Sequence, residues 1–420
     1  MPYAASKLAH YASNGAAVHV CKDQFYWPST FEGIEEEHIG QKVFDDCNIV
    51  LLNQVEFDAF QATLAQIHEQ VKRISKRGFD DSFRWHTHTK YTESFLTSQG
   101  FGTLTASTLV AIDNGTGRLE IAFLYWRDPS IDGAAMHGLC DYVYHTRKRS
   151  SKASMGESFV KVRGDKTMAG KMSAFGSWDA YGAASVGLGK DVMEVRAYNP
   201  NGKVDTTLNA HVVAHVDKLT AAETDLMPAC AAMRAWFANG LDPKHDHRMS
   251  QTSDAFAMTI STNYIADPHD DSGMPGVLEF IQFLNATGPL PLGHKWLFAI
   301  AGFLCELPTR IGESAIIALP ACGVYHGTLP TSSTAATHPH GNYGSALITK
   351  EPICAGLMRQ LKRKRAPHPR YRSSNIYYGG GVAGRPEYTC DRCYFFEGTL
   401  DEVEAHEKHC TNTLRPCGGF

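Results

Sequence analysis

Residues 312–330 read GESAIIALPACGVYHGTLP, and residues 338–350 read HPHGNYGSALITK. The short apolar runs SAIIALP, GVYHGTL and GSALITK are separated by Gly, Pro and polar residues. Runs of this length between turn residues are strand signals. Toward the N-terminus, WLFAIAGFLCEL (296–307), VLEFIQFLN (277–285) and AFAMTISTNYI (255–265) have the same texture. So many short strands in close succession predict a β-sandwich, jelly roll or barrel.

His269-Asp270-Asp271 follows the strand ending at Ile265, and His326 lies within GVYHGTLP. A His-x-Asp pair at a strand end plus a distant His is the sequence form of the two-His-one-carboxylate facial triad. Two neutral imidazoles and a carboxylate cap one face of Fe(II) and leave the opposite positions open for a cosubstrate and dioxygen. In extended chain, residues i and i+2 share a face, so His269 and Asp271 can grip one ion while Asp270 points away.

With these residues in that order, GESAIIALPACGVYHGTLP, HPHGNYGSALITK and the HDDSG segment resemble the catalytic core of the TET/JBP family. Members are Fe(II)-dependent dioxygenases that act on the methyl group of 5-methylcytosine or thymine in DNA. The likeness covers about residues 254–352 and implies a double-stranded β-helix (jelly-roll) core with His269, Asp271 and His326 as iron ligands. It also implies 2-oxoglutarate as cosubstrate, a ferryl-oxo intermediate, and a flipped target base, because a stacked base cannot reach a barrel iron. Repeated turnover carries the methyl group through hydroxymethyl- and formyl- to carboxylcytosine.

The sequence departs from the family in two places. Many members carry an Arg for the distal carboxylate of 2-oxoglutarate where this chain has Tyr343-Gly344-Ser345. Thr328, His340 and Lys350 are the nearest cosubstrate candidates, and Lys350 equally suits a solvated strand end. Ascorbate, used by some algal relatives, is the alternative cosubstrate. Met274-Pro275 stands where a base-contacting Asn or Asp is common, so another methylated base is an alternative substrate.

Upstream, Phe57, Phe60, Leu64, Ile67, Val71 and Ile74 alternate in steps of three and four, which predicts an amphipathic helix. Apolar runs 101–112 and 118–126 flank Asp113–Gly117 and predict a β-hairpin. Lys161–Gly176 is glycine-rich and basic but lacks the GK[ST] ending of a phosphate loop, and it reads as a solvated loop. A second helix is expected near Ala221–Ala238. The predicted architecture is α+β, in four parts. Residues 1–180 form an N-terminal region packed on the core, 181–352 the dioxygenase core, 353–386 a basic linker and 387–420 a zinc-finger segment.

In that last segment Cys390, Cys393, His406 and Cys410 give C-x2-C-x12-H-x3-C, the ligand spacing of a ββα zinc finger. His409 is the alternative fourth ligand. The segment Glu397–Glu404, with Glu397, Asp401, Glu402 and Glu404, is acidic around the start of the finger's expected helix at Asp401, which repels phosphate and favours a structural or protein-binding role. Lys362-Arg363-Lys364-Arg365, with Arg359, Arg370 and Arg372 nearby, concentrates cations just after the core. That run reads either as a solvated linker or nuclear-import patch, or as an arm that holds duplex phosphates.

The composition sets bounds on all of this. Forty Lys plus Arg against 44 Asp plus Glu give a net charge of −4, which excludes uniform, non-specific coating of nucleic acid. No run of about 18 apolar residues predicts a membrane span. The first residues lack a secretory apolar core, so a cytosolic or nuclear location and mostly reduced thiols among the 11 cysteines are expected, and a DNA substrate makes the location nuclear. The functional expectation is an Fe(II)- and 2-oxoglutarate-dependent dioxygenase of 5-methylcytosine in methylated duplex DNA. A non-catalytic zinc-binding adaptor of chromatin or transposons is the alternative of another class.

Overall fold

The computed structural model describes residues 39–75, 83–86, 91–113, 119–128, 154–162, 165–179, 192–196, 204–228, 248–271, 278–285, 290–320, 323–339, 341–348, 388–389 and 397–398, with a few single positions besides. Its N-terminal strands are β1 (Asn48–Asn53), β2 (Phe83–His86), β3 (Gly102–Leu104), β4 (Thr108–Asp113), β5 (Leu119–Asp128), β6 (Ser154–Val162), β7 (Asp165–Asp179) and β8 (Val192–Val195). Eight more follow: β9 (Ala257–Thr262), β10 (Ala266–His269), β11 (Leu278–Leu284), β12 (Trp296–Ile300), β13 (Phe303–Glu306), β14 (Ser314–Pro320), β15 (His326–Pro330) and β16 (Tyr343–Ile348). The helices are α1 (Gln41–Asp46), α2 (Gln54–Ser75), α3 (Glu93–Ser98), α4 (Thr206–Leu226) and α5 (Ser333–Thr337).

Strands β9 to β16 form a jelly roll. One sheet contains β14-β11-β16-β9 and the other β10-β15-β12-β13, with every pair among them antiparallel. Apart from the β12–β13 hairpin, each successive strand crosses to the opposite sheet, which gives the double-stranded β-helix. Strand β11 shows why the sequence folds this way. All of its residues are buried, because Ile281 and Phe283 face Phe298 and Ile317 between the sheets while Phe280 and Leu284 face the helical layer behind. A strand covered on both faces reads as a mainly apolar run without strict alternation, as VLEFIQFLN does although Glu279 and Gln282 are buried within it.

The N-terminal region does not stand apart from the jelly roll. Strands β4 and β5 extend the larger sheet beyond β14, and β7, β6 and β2 extend it beyond β9, so one eleven-stranded sheet runs across residue 180. Helix α4 covers its back through Val212, Val216 and Leu219, and Asp205 caps the helix by accepting the Leu208 N–H at 3.0 Å. It begins well before the helix expected at Ala221. Helix α2 covers the back of the smaller sheet through Leu64 and Ile67, against Leu297, Ala299 and Leu329.

Two local readings are corrected. Lys161–Gly176 is not a loop: it completes β6 and forms most of β7, which pairs with β9. Gly170 makes this possible, because a Cβ there would lie 2.1 Å from the Asn263 carbonyl. WLFAIAGFLCEL is not one strand but the hairpin β12–β13. Its two-residue turn is Ala301-Gly302, with φ of 46° and 84°, the left-handed pair that matches the twist of a tight hairpin.

Candidate metal centre

The triad forms where β10 ends and β15 begins, at positions paired across the smaller sheet, His269 opposite His326. The two imidazole rings lie 4.6 Å apart, inclined by 52°. Asp271, just past the end of β10, places its Oδ2 3.6 Å from His269 Nε2 and 3.6 Å from His326 Nε2. One donor atom from each of the three lies within 4.8 Å of the others, and among the described residues no other such cluster of His, Cys, Asp or Glu occurs.

Both histidines are prepared for a cation in the same way. His269 Nδ1 bonds the Asp267 carbonyl at 2.7 Å, and His326 Nδ1 bonds the Val324 carbonyl at 2.9 Å. A carbonyl only accepts, so each Nδ1 carries the hydrogen and each Nε2 keeps its lone pair for a metal. Burial disfavours a charged His326, yet its pKa is raised, because Asp271 bonds and attracts the proton, with help from Glu279 and the Val324 carbonyl. The His269 and Asp271 side chains are 26% and 25% exposed and that of His326 only 3%, so the site is open on one side. Two imidazole nitrogens and one carboxylate on one patch, open opposite, suit a divalent transition metal such as Fe(II).

Asp270 turns away from the triad and accepts the Gly323 N–H at 2.8 Å, which ties the end of β10 to the turn before β15. Its own pKa is raised by burial, against the pull of that bond.

The cosubstrate candidates fare differently. Thr328 Oγ1 donates to the Tyr264 carbonyl at 2.8 Å and accepts the Ala266 N–H at 2.9 Å, so its proton is committed to the neighbouring strand. It has no donor left for a carboxylate. His340 and Lys350 lie outside the described residues, as do Lys362, Arg363, Lys364, Arg365, Cys390, Cys393, His406 and Cys410. Near those cysteines, β17 (Tyr388–Thr389) and β18 (Glu397–Gly398) pair antiparallel on either side of positions 390–396. None of β9 to β16 contains a Lys or Arg. The distal carboxylate of 2-oxoglutarate therefore finds no cation on the barrel strands themselves.

Three contacts around the triad were not visible in the sequence. Phe298, on β12, stacks on His326. Gln61 and His68, both on α2, bond the backbone beside the two histidines. A polar residue on a helix whose partner is a distant backbone group leaves no periodic or motif signal.

No protein-family model matches the chain, and no curated protein matches it. Among solved structures, the chain is similar to a protein from Shewanella oneidensis described as a "putative oxygenase", at 10% identity and a TM-score of 0.27, covering 67% of this chain and 97% of that one. It is also similar to OsALKBH1, at 10% identity and a TM-score of 0.24, covering 55% of this chain and 97% of that one. Likenesses this distant decide neither fold nor chemistry, which rest on the strand order and the triad.

Proposed function

We propose that this protein is an Fe(II)-dependent dioxygenase that oxidises the methyl group of a methylated base in duplex DNA, 5-methylcytosine in the first instance. The observation that carries the metal-dependent part is the convergence of His269 Nε2, His326 Nε2 and Asp271 Oδ2 at the open end of a jelly roll. The DNA substrate, the zinc finger and the nuclear location rest on the sequence: the TET/JBP resemblance, the Cys390–Cys410 spacing and the Lys362–Arg365 run.

Iron held by such a set supplies activation of dioxygen for attack on an unactivated C–H bond. The rest is done by the chain. Asp267 and Val324 carbonyls hold both imidazoles in the tautomer that presents Nε2. Asp271 places negative charge where the cation sits. Phe298 and Phe283, with ring centroids 5.6 Å apart, fill the barrel beside His326 and exclude water there. A flipped base, which an enzyme working on a duplex base requires, would reach the triad from the side on which His269 and Asp271 are exposed.

Because β9–β16 offer no cation, ascorbate stands beside 2-oxoglutarate as the cosubstrate. The test is to incubate the full chain with Fe(II), a methylated duplex and each cosubstrate in turn, then quantify nucleosides by mass spectrometry. Hydroxymethylcytosine with either cosubstrate supports the proposal, and its absence with both overturns it.

A further inference from the structure

The bond partners of α2 point to a role for that helix beyond covering the smaller sheet. Gln61 and His68 are seven residues apart, two turns, and so share one face of α2. Gln61 Oε1 accepts the N–H of Tyr325 at 2.6 Å, and Tyr325 immediately precedes His326. His68 Nδ1 donates to the carbonyl of Pro268 at 2.8 Å, and Pro268 immediately precedes His269. One helix face thus holds the backbone next to each triad histidine. The rings of His68 and Tyr325, 5.6 Å apart, join the two contacts.

The smaller sheet needs such a hold at this place. The pairing of β10 with β15 slips between Ala266, opposite Thr328, and His269, opposite His326. Three steps on β10 therefore match two on β15, a bulge that re-aims the bulged strand and breaks the ladder locally. The Pro268 carbonyl falls inside that break, and His68 donates to it there. Tyr325 lies just outside the first paired residue of β15, and Gln61 takes its N–H. Where the sheet stops fixing the two strands, α2 fixes them instead.

We infer that Gln61 and His68 are positioning residues of the metal centre, setting the separation and tilt of His269 and His326 through the backbone of Pro268 and Tyr325. The inference rests on the reading of the triad as a metal site. Outer partners of ligand histidines change metal affinity by about 10–100-fold when removed, and a loss in the lower part of that range is expected here.

The test uses the full chain with one equivalent of Zn(II) already bound, so that the Cys390–Cys410 spacing offers no second site, and Co(II), which substitutes for Fe(II) at the triad and reports its geometry by visible absorption. Gln61→Met and His68→Leu remove the acceptor and the donor. Each is expected to weaken Co(II) binding by about tenfold and to shift the absorption bands. Gln61→Glu keeps an acceptor, and His68→Asn keeps a donor near the Nδ1 position, so both should restore affinity and spectrum. His68→Gln, whose donor sits one bond farther out, should bind with a shifted spectrum. Val216→Ala, buried on α4 behind the larger sheet and away from α2, is the comparison for stability alone. At equal loss of Tm it should leave the Co(II) spectrum unchanged.

If wild type binds no Co(II), the reading of the triad itself falls. If wild type binds but Gln61→Met and His68→Leu share its affinity and spectrum, the positioning role is overturned. The same holds if Val216→Ala shifts the bands as far as they do. Should His68→Leu fail to fold, a His68→Gln spectrum identical to wild type overturns the role by itself.

Discussion

Phe298 lies nearly parallel to His326, with ring centroids 5.6 Å apart and planes inclined by 16°. Both are almost fully buried, so the phenyl ring is the floor against which the ligand imidazole rests. Phe298→Leu keeps most of the volume and removes the stacked ring, a cost of about 0.5–1.5 kcal/mol. Phe298→Ala opens a cavity and should cost about 3–5 kcal/mol. Thermal melts with and without Fe(II) check this: the stabilisation by metal should shrink in Phe298→Leu, and an unchanged metal-dependent shift in Tm would show that the ring does not support the ligand.

His269→Ala, Asp271→Ala and His326→Ala should each abolish turnover and stoichiometric iron, since two facial ligands hold Fe(II) poorly. The pH dependence has two opposite signs. His326 has a raised pKa in the metal-free fold, so its proton contributes stability below the ordinary histidine value and this contribution is lost as pH rises through the folded value. Metal must displace that proton, so Fe(II) affinity should instead rise with pH and level off above the folded value. Anaerobic titrations at several pH values, read as log affinity, would expose a flat profile if no proton is released.

His215, buried under the larger sheet, bonds Ser345 Oγ at 2.7 Å. Its pKa is lowered from 6.5 to about 3, by burial first and by the charge of Lys218 second. The folded protein keeps this ring neutral while the unfolded chain protonates it, so stability present above pH 6.5 is lost as pH falls toward 3. Between pH 6.5 and 5 the loss from this group is about 2 kcal/mol, at about 1.4 kcal/mol per unit. Urea unfolding of His215→Gln should show a difference between those two pH values smaller by about that amount.

For the C-terminal segment, one zinc per chain is expected, released by Cys390→Ser or Cys393→Ser. Because ligand binding drives the folding of a finger, both variants should gain protease cleavage beyond about residue 385. Variants that retain their zinc would show that the spacing is a coincidence.

Replacing Lys362, Arg363, Lys364 and Arg365 together by Ala should raise KM for duplex DNA and leave kcat nearly unchanged, because a phosphate-binding run distant in sequence from the iron ligands supplies mainly uniform binding energy. The slope of log affinity against log salt should become shallower by about 0.9 for each phosphate no longer neutralised. An unchanged slope would make the run a linker or import signal only.

What the sequence disclosed followed from periodicity and spacing. The burial of β11 on both faces makes a mainly apolar run, interrupted only by Glu279 and Gln282, and His269-x-Asp271 with a distant His326 is the short pattern of a facial metal triad. The hairpin at Ala301-Gly302 was hidden because Ala rarely adopts positive φ and gave no turn signal. Strand β7 resembles a loop in sequence because its Lys and Gly residues suggest solvent. Its Lys171 is nonetheless 4% exposed, and Gly170 serves a close approach to Asn263 that only tertiary structure reveals. Gln61 and His68 look like ordinary polar helix residues, since their partners are backbone groups more than 190 positions away.

The most direct measurement follows oxygen from gas to base. The iron-loaded full chain is incubated under 18O2 with a duplex containing 5-methylcytosine and with 2-oxoglutarate or ascorbate, and the nucleosides are weighed by mass spectrometry. The expected result is hydroxymethylcytosine carrying one labelled oxygen in its new hydroxyl, formed by wild type and not by His326→Ala. Iron-loaded wild type that leaves the methyl group unlabelled and unchanged with both cosubstrates would contradict it.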